Sequence, residues 1–368
     1  MAETLAEVPK YRQIFENLKD AISAGRYQTG QKLPSEADLV RTFSTSRLTV
    51  NRALRELQLG GLIERRVGSG SYVSASKTTG FAFGLLIPEL GSTEIFEPIC
   101  RGMAEVQLTE HHTLLWGRTS ADPVAMEAQA RDSCRQWVTG KVAGAFFAPL
   151  ELTGEKDAVN KRIADLFESV RMPLVLIDRD LVAYPQRSKH DVVGIDNRRA
   201  GYTLTDHLIK SGCRRLIFLG KHKAAPSCVA RAVGFREAVQ DANIEFRDEF
   251  IFHHSDPTNT DEIRQIMQSL KPDGIVCSND FTAAQLMRTM EVLSINVPRD
   301  VKMGGFDDVK YASLLSVPLT TIHQPCAEIG AAAVRALVER VHNPKLPPRD
   351  ILLNFELVVR ESTSGARA

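Results

Sequence analysis

No apolar run in the 368-residue sequence is long enough to span a bilayer. The longest, 81–88 and 142–150, reach less than half of the ~20 residues a helix needs. Residues 1–10 lack a basic start leading into an apolar stretch, so no export signal is read there. The six cysteines, Cys100, Cys134, Cys213, Cys228, Cys277 and Cys326, are scattered, with no close pair at metal-ligand spacing. In a chain of this length they read as reduced, buried thiols. A cytoplasmic protein with no membrane association is therefore expected. Catalytic signatures are missing too: there is no Gly-x-Ser-x-Gly elbow, no P-loop and no Gly-x-Gly-x-x-Gly after a strand. The paired His111, His112 and His253, His254 have no cysteine or carboxylate at ligand spacing. Neither enzyme activity nor a cofactor or metal is expected.

The overall charge is close to balance, at +1, but its distribution is not. Between residues 8 and 76 stand eleven basic and six acidic side chains, a local excess of +5, which leaves the remainder slightly acidic. A basic head on a near-neutral body suits a polyanion-binding module attached to something larger.

Within that head, Ile14, Leu18, Ala21 and Ile22 fall at helical spacing and Gly25 ends the segment. Ser35 follows Pro34 as an N-cap, and Asp38 three residues later makes an acidic version of the capping box. A short helix to Phe43 is broken by Ser44–Ser46. A third helix then puts Val50, Ala53, Leu54 and Leu57 on one face, and Gly60 and Gly61 end it. Two short β segments, 62–66 and 71–73, flank a glycine-rich tip. This is the order of a winged helix-turn-helix. The third helix leaves Ser46, Arg47, Thr49, Asn51, Arg52 and Arg55 towards solvent, residue types that bond phosphates and base edges.

The stretch 11–73 resembles the GntR-type DNA-binding domain. The likeness rests on Tyr11, Ile14, Leu18, the Leu33-Pro34-Ser35-Glu36 turn, Ser46, Arg47, Thr49, Val50, Ala53, Leu54, Leu57, Gly61, Gly68, Gly70, Tyr72 and Val73. The resemblance implies that Glu36, Arg47 and Thr49 lie at the DNA and that the wing tip, Gly68, Ser69 and Gly70, enters the minor groove. Two positions depart from the pattern. Asn51 stands where relatives often carry a guanine-reading arginine, and Ala37 where they often carry a second polar reader.

The short polar segment 77–80 reads as a linker between a head over 8–76 and a second unit over 81–362. In the second unit apolar β-type runs alternate with helix-length stretches, which predicts α/β architecture with parallel sheets covered on both faces. Roughly 280 residues exceed one such sheet, so two lobes are expected. Ligands in open α/β sheets sit at the carboxyl ends of strands. There the sequence places Glu89, Asp178, Asn279, Asp280, Asp307 and Asp308, with Arg231 at the start of a helix. Carboxylates, an amide and a guanidinium suit vicinal hydroxyls. Phe96 or Trp116 is a candidate to stack on a sugar ring.

This region resembles the LacI/GalR sensor domain, a two-lobed fold similar to periplasmic sugar-binding proteins. The likeness rests on Gly194-Ile195-Asp196-Asn197, Ala200-Gly201-Tyr202, Gly212-Cys213-Arg214-Arg215, Arg231 with Gly234-Phe235, Ser278-Asn279-Asp280, Gly305-Phe306-Asp307-Asp308 and Pro318–Ile322 followed by Gln324-Pro325. It implies that Asp178, Arg231, Asn279 and Asp307 contact an effector sugar. It also implies that Gln324 sits near a hinge and that the chain crosses between lobes near 185–191, 324 and 345–351. The stacking aromatic many relatives carry just after the position of Gln324 is absent, since Pro325 and Cys326 follow.

A GntR-type head on a LacI-type sensor resembles the arrangement of the arabinose-responsive repressors. It implies a homodimeric repressor that binds double-stranded operator DNA and is released by arabinose or another monosaccharide. The competing reading, a solute-binding protein of carbohydrate transport, leaves the head unexplained. Because asparagine pairs best with adenine and arginine with guanine, an A·T pair is expected opposite Asn51. Asn51→Arg should shift the preferred base towards guanine by about 1–3 kcal/mol, read by binding-site selection on both proteins.

Overall fold

In the head, one wall of side chains decides the arrangement. The computed structural model describes residues 10–364 apart from 24, 29, 60–61, 67–68, 74–80, 88–93, 107–111 and 121. The chain divides near Phe81 into two compact units. In the first, α1 (Lys10–Ser23) turns Ile14, Leu18 and Ala21 inward. Helix α2 (Glu36–Thr42) starts at Ser35, whose Oγ accepts from Asp38 N at 3.2 Å while the Asp38 carboxylate accepts from Ser35 N, so two orphan donors are satisfied reciprocally. Ser46 Oγ does the same for Thr49 N at the head of α3 (Arg47–Leu59). Val50, Ala53, Leu54 and Leu57 of α3 close on Leu39, Ile63 and Val73 in a single small core. Strands β1 (Ile63–Arg66) and β2 (Gly70–Val73) pair antiparallel, Ile63 opposite Val73, and Lys32 bridges to Tyr72 as a third edge.

The second unit runs β3 (Phe81–Leu86), α4 (Phe96–Glu105), β4 (His112–Trp116), α5 (Pro123–Thr139), β5 (Gly144–Phe147), α6 (Lys156–Ser169), β6 (Leu174–Ile177) and β7 (Asp191–Ile195). Then come α7 (Asn197–Lys210), β8 (Leu216–Leu219), α8 (Pro226–Asp241), β9 (Ile251–Phe252), α9 (Thr260–Leu270), β10 (Gly274–Cys277), α10 (Asp280–Val292) and β11 (Lys302–Asp307). The chain ends with β12 (Thr320–His323), α11 (Cys326–His342), β13 (Asp350–Leu353) and β14 (Glu356–Val358). Two six-stranded sheets result, ordered β13-β7-β6-β5-β3-β4 and β14-β12-β11-β10-β8-β9. Pairing is parallel from β13 to β3 and from β12 to β9, and β14 joins antiparallel. Strands β5, β6, β8 and β10 are buried at every residue, as strands covered by helices on both faces must be.

The crossings between lobes differ from expectation at two of three places. The first lies at Asp196, because 191–195 is still a strand of the first sheet and α7 already packs on α8 and β11. The second, at Gln324 and Pro325, is where it was expected. The third lies at Asn354 and Phe355. Residues 351–359 read as one strand in the sequence, but β13 pairs with β7 in the first sheet and β14 with β12 in the second. The break between them is made by Asn354, while Phe355 is buried to 7 % exposure.

Two contacts fix the frame. Asp191, fully buried at the start of β7, accepts two bonds from Arg340 of α11, at 2.7 and 2.9 Å, and one from Arg349 N at 2.8 Å. Burial penalises its charge, but the bonds from Arg340 and Arg349 outweigh this and hold its carboxyl below the usual range. Helices α7 and α8 touch backbone to backbone at a reciprocal pair of glycines. A Cβ on Gly201 would strike the Arg231 carbonyl, and one on Gly234 the Arg198 carbonyl. Since neither obstacle is a side chain that can turn aside, Gly234→Ala should destabilise the second unit by about 1–3 kcal/mol or more. The midpoint of urea unfolding checks this.

Candidate functional site

The exposed surface of α3 is the candidate nucleic-acid interface. Arg47 and Arg55 are exposed, and Thr49 is partly covered by its bond to Ser46 at 2.8 Å. Arg52 faces solvent as expected, but it is not without partners in the head. Its guanidinium stacks 3.8 Å from the ring centroid of Tyr11 and lies 3.5 Å from Glu56, so it ties α3 to α1. Asn51 is also engaged at both ends of its amide. Nδ2 donates to Glu36 at 3.3 Å, Oδ1 accepts from Arg65 Nη1 at 2.8 Å, and Arg65 closes the ring on Glu36. One N–H and one lone pair of the amide remain beyond these two bonds. In the wing, Ser69 bonds the Tyr72 hydroxyl at 2.6 Å, and Gly70 holds φ +117, a conformation that favours glycine. Arg66 and Lys32 flank the Tyr72 ring at 4.7 and 5.9 Å, so two cations stand around one aromatic post. Gly68, the linker 77–80 and Glu89 lie outside the described residues.

In the second unit, the carboxyl ends of β6 and β11 bring Asp178 and Asp307 together from the two lobes, close enough for Asp178 to raise the Asp307 carboxyl. Both have positive φ, +70 and +109, a strained backbone in non-glycine residues that structures tolerate chiefly at functional sites. Asp178 Oδ2 accepts from Arg179 at 3.1 Å, while its Oδ1 is buried with no partner. Arg179 also bonds Glu151 at 3.1 Å and the Pro149 carbonyl at 2.9 Å. Opposite, Arg231 donates to Asn197 Oδ1 and the Ser278 carbonyl, each at 2.8 Å, and to Asp307 at 3.3 Å. Gln324 Nε2 donates to Asp307 at 2.7 Å. Burial pushes the Asp307 carboxyl up to about 6, although Arg231 and Gln324 pull the other way.

The lobes touch at the rim of this site. Ala225 N, at the start of α8, donates to Glu151 at 3.2 Å, and Leu152 N donates to the Lys223 carbonyl at 2.9 Å. A carboxylate at the N-terminus of α8 is favoured by the helix dipole. Two of the three crossings also reach into the site: Asn197 from the first and Gln324 from the second, both buried. Asp308, next to Asp307, grips His323 at 2.9 Å and Arg360 at 2.6 Å, the strand end before the second crossing and the segment after β14.

Several residues singled out in the sequence are used differently. Asp280 is fully buried, and both its oxygens are taken, by Thr321 at 2.6 Å and Val309 N at 3.1 Å. Burial pushes its carboxyl well above the usual range; it braces the turn behind Asp307 rather than facing a ligand. Asn279 caps α10, its side chain accepting from Thr282 N at 2.9 Å. Phe96 is 1 % exposed and lies beneath the Arg179 guanidinium, at 5.8 Å, as Phe306 lies beneath Arg231 at 4.6 Å. The aromatics thus hold arginines instead of offering a face to a sugar. Trp116, 54 % exposed, ends the edge strand three positions from β6, about 14 Å away in the pairing direction. Sequence reasoning noted Arg179 beside Asp178 at a strand end but passed over Glu151 and Asn197 as site residues. Asn197 follows directly on the first crossing, and Glu151 lies four residues beyond the end of β5.

Among the described residues no cluster of three histidine, cysteine or carboxylate side chains could hold a metal, and no helix is long and apolar enough to cross a membrane.

Residues 10–73 match the bacterial regulatory proteins of the gntR family, and residues 205–363 match the periplasmic binding protein-like domain. The chain is a transcriptional regulator that joins a GntR-type DNA-binding head to a periplasmic-binding-protein-like domain of the LacI kind. It is 28 % identical over 374 residues to the arabinose metabolism transcriptional repressor of Geobacillus stearothermophilus, covering 97 % of this chain and 98 % of that one. It is 28 % identical over 285 residues to the transcriptional repressor PurR of Vibrio vulnificus, covering 76 % and 80 %. These relatives are repressors, not enzymes. The fold is that of the transcription regulator CcpA of Lactococcus lactis, with a TM-score of 0.66 at 21 % identity over 77 % of this chain and all of that one.

Proposed function

We propose that the protein is a cytoplasmic, homodimeric repressor that leaves its operator when an uncharged monosaccharide fills the cleft between the sensor lobes. The observation that carries this reading is the pair of strained carboxylates, Asp178 and Asp307, one from each lobe, with Asp178 Oδ1 buried and unpartnered. A buried acceptor without a donor is costly, and a sugar hydroxyl supplies the missing bond. Both buried guanidiniums are already matched by carboxylates, Arg179 by Glu151 and Asp178, Arg231 by Asp307. Neither is spare for a phosphate, which favours a neutral polyol. The name of the full-length relative from Geobacillus makes arabinose the first ligand to test.

A dimer follows from the reading of one short recognition helix, since twofold proteins gain specificity by reading palindromes. Sugar that favours one lobe arrangement acts on the hinge amides Asn197 and Gln324 directly. By linkage, operator and sugar weaken each other's binding by the same factor. A transport role using the same sensor fold leaves the head without a purpose.

A thermal-shift screen against pentoses, hexoses and their phosphates tests the reading. A sugar at 100 times its Kd should add roughly 2.7 kcal/mol of stability to the unit that binds it, and Asp307→Ala should abolish the shift. A shift with none of the neutral sugars ends the proposal. Titration follows from the same carboxyl. Hydroxyls donate to the ionised Asp307, so affinity should be full above pH 7 and fall as pH drops through about 6, where the acceptor is protonated. Calorimetric titration between pH 5 and 8 reads this.

A further inference from the structure

Leu48 is the second residue of α3 and is 83 % exposed, the most exposed large apolar side chain of the head among the described residues. Helical spacing places it on the face shared with Asn51, Arg52 and Arg55, away from the buried Val50, Ala53, Leu54 and Leu57. Those three neighbours on the face are polar. A leucine there adds nothing to the core of the head and gains nothing from water. Its polar neighbours are moreover occupied: Asn51 is held between Glu36 and Arg65, and Arg52 lies on Tyr11. At the leading end of the helix the bare leucine therefore stands out, beside the exposed Arg47.

The major groove has one apolar feature that differs between base pairs, the 5-methyl group of thymine. We propose that Leu48 reads sequence by packing on a thymine methyl in each half-site, with Arg47 beside it available to a phosphate. The proposal rests on the head being the DNA-binding unit of the chain. It divides the labour on α3 between an apolar reader at its start and a pre-formed polar ring, Glu36, Asn51 and Arg65, one turn further on.

The test uses the full chain and the operator obtained by selection with it. Each thymine of one half-site is replaced in turn by deoxyuridine, which removes the methyl and leaves every hydrogen-bonding group in place. At one position the replacement should weaken binding about fourfold, the worth of one buried methyl. Leu48→Ala, a change at an exposed site that leaves the fold intact, should bind thymine and uracil equally at that position and respond as the wild type elsewhere. The proposal is overturned if no uracil weakens the wild type, or if Leu48→Ala keeps the wild-type sensitivity. A selection that enriches no duplex at all brings down the DNA-binding reading first, and this proposal with it.

Discussion

The sensor depends on a single constraint: its ligand-facing charges are held by the hinge itself. Arg231 is held by Asn197 at the first crossing and Asp307 by Gln324 at the second, and Arg231 and Asp307 are bonded to each other. No group in this ring can move without straining a backbone segment that connects the lobes. Site and hinge are thus joined by direct hydrogen bonds. Asp308 extends the ring outward to His323 at the end of β12 and to Arg360 after β14.

The same economy governs the charges. Each lobe seats one buried arginine on one buried phenylalanine, Arg179 on Phe96 and Arg231 on Phe306. The ring face stabilises the guanidinium where water cannot. The carboxylates are then placed around the arginines, so the desolvation cost of each charge is offset by its partner, and one acceptor, Asp178 Oδ1, is left over. The unpartnered acceptor in an otherwise balanced network sets this cluster apart from Asp191, both of whose oxygens are bonded by Arg340 and Arg349.

Much of this was legible in the sequence. Alternating apolar runs and helical stretches announced two parallel sheets, and Ser35 with Asp38 announced a helix start that the structure builds with both reciprocal bonds. Asp178, Arg231 and Asp307 were visible because they follow strand ends or open a helix, and Gln324 through the resemblance to the LacI/GalR sensor. What stayed hidden depended on pairing. Residues 351–359 are uniformly β-forming, and only the partner strands, β7 and β12, show that the run serves two sheets. Asp280 and Asn279 look like ligand groups in one dimension. In three, Asp280 turns under the β11 turn and Asn279 turns to its own helix. Arg52 and Asn51 were read as facing solvent, and no sequence rule shows that Tyr11 lies over one and that Glu36 and Arg65 close on the other.

The division of the last strand run between the lobes has a consequence for biosynthesis. One sheet of the sensor lacks an edge strand until residue 353 has left the ribosome and the other until residue 358, because β13 closes an edge of one and β14 an edge of the other. The head, by contrast, is complete within the first 73 residues. A nascent or prematurely ended chain therefore carries a finished DNA-binding domain on an unfinished receptor. Such a product would present the exposed face of α3 while lacking the strands that close the two sheets of the second unit.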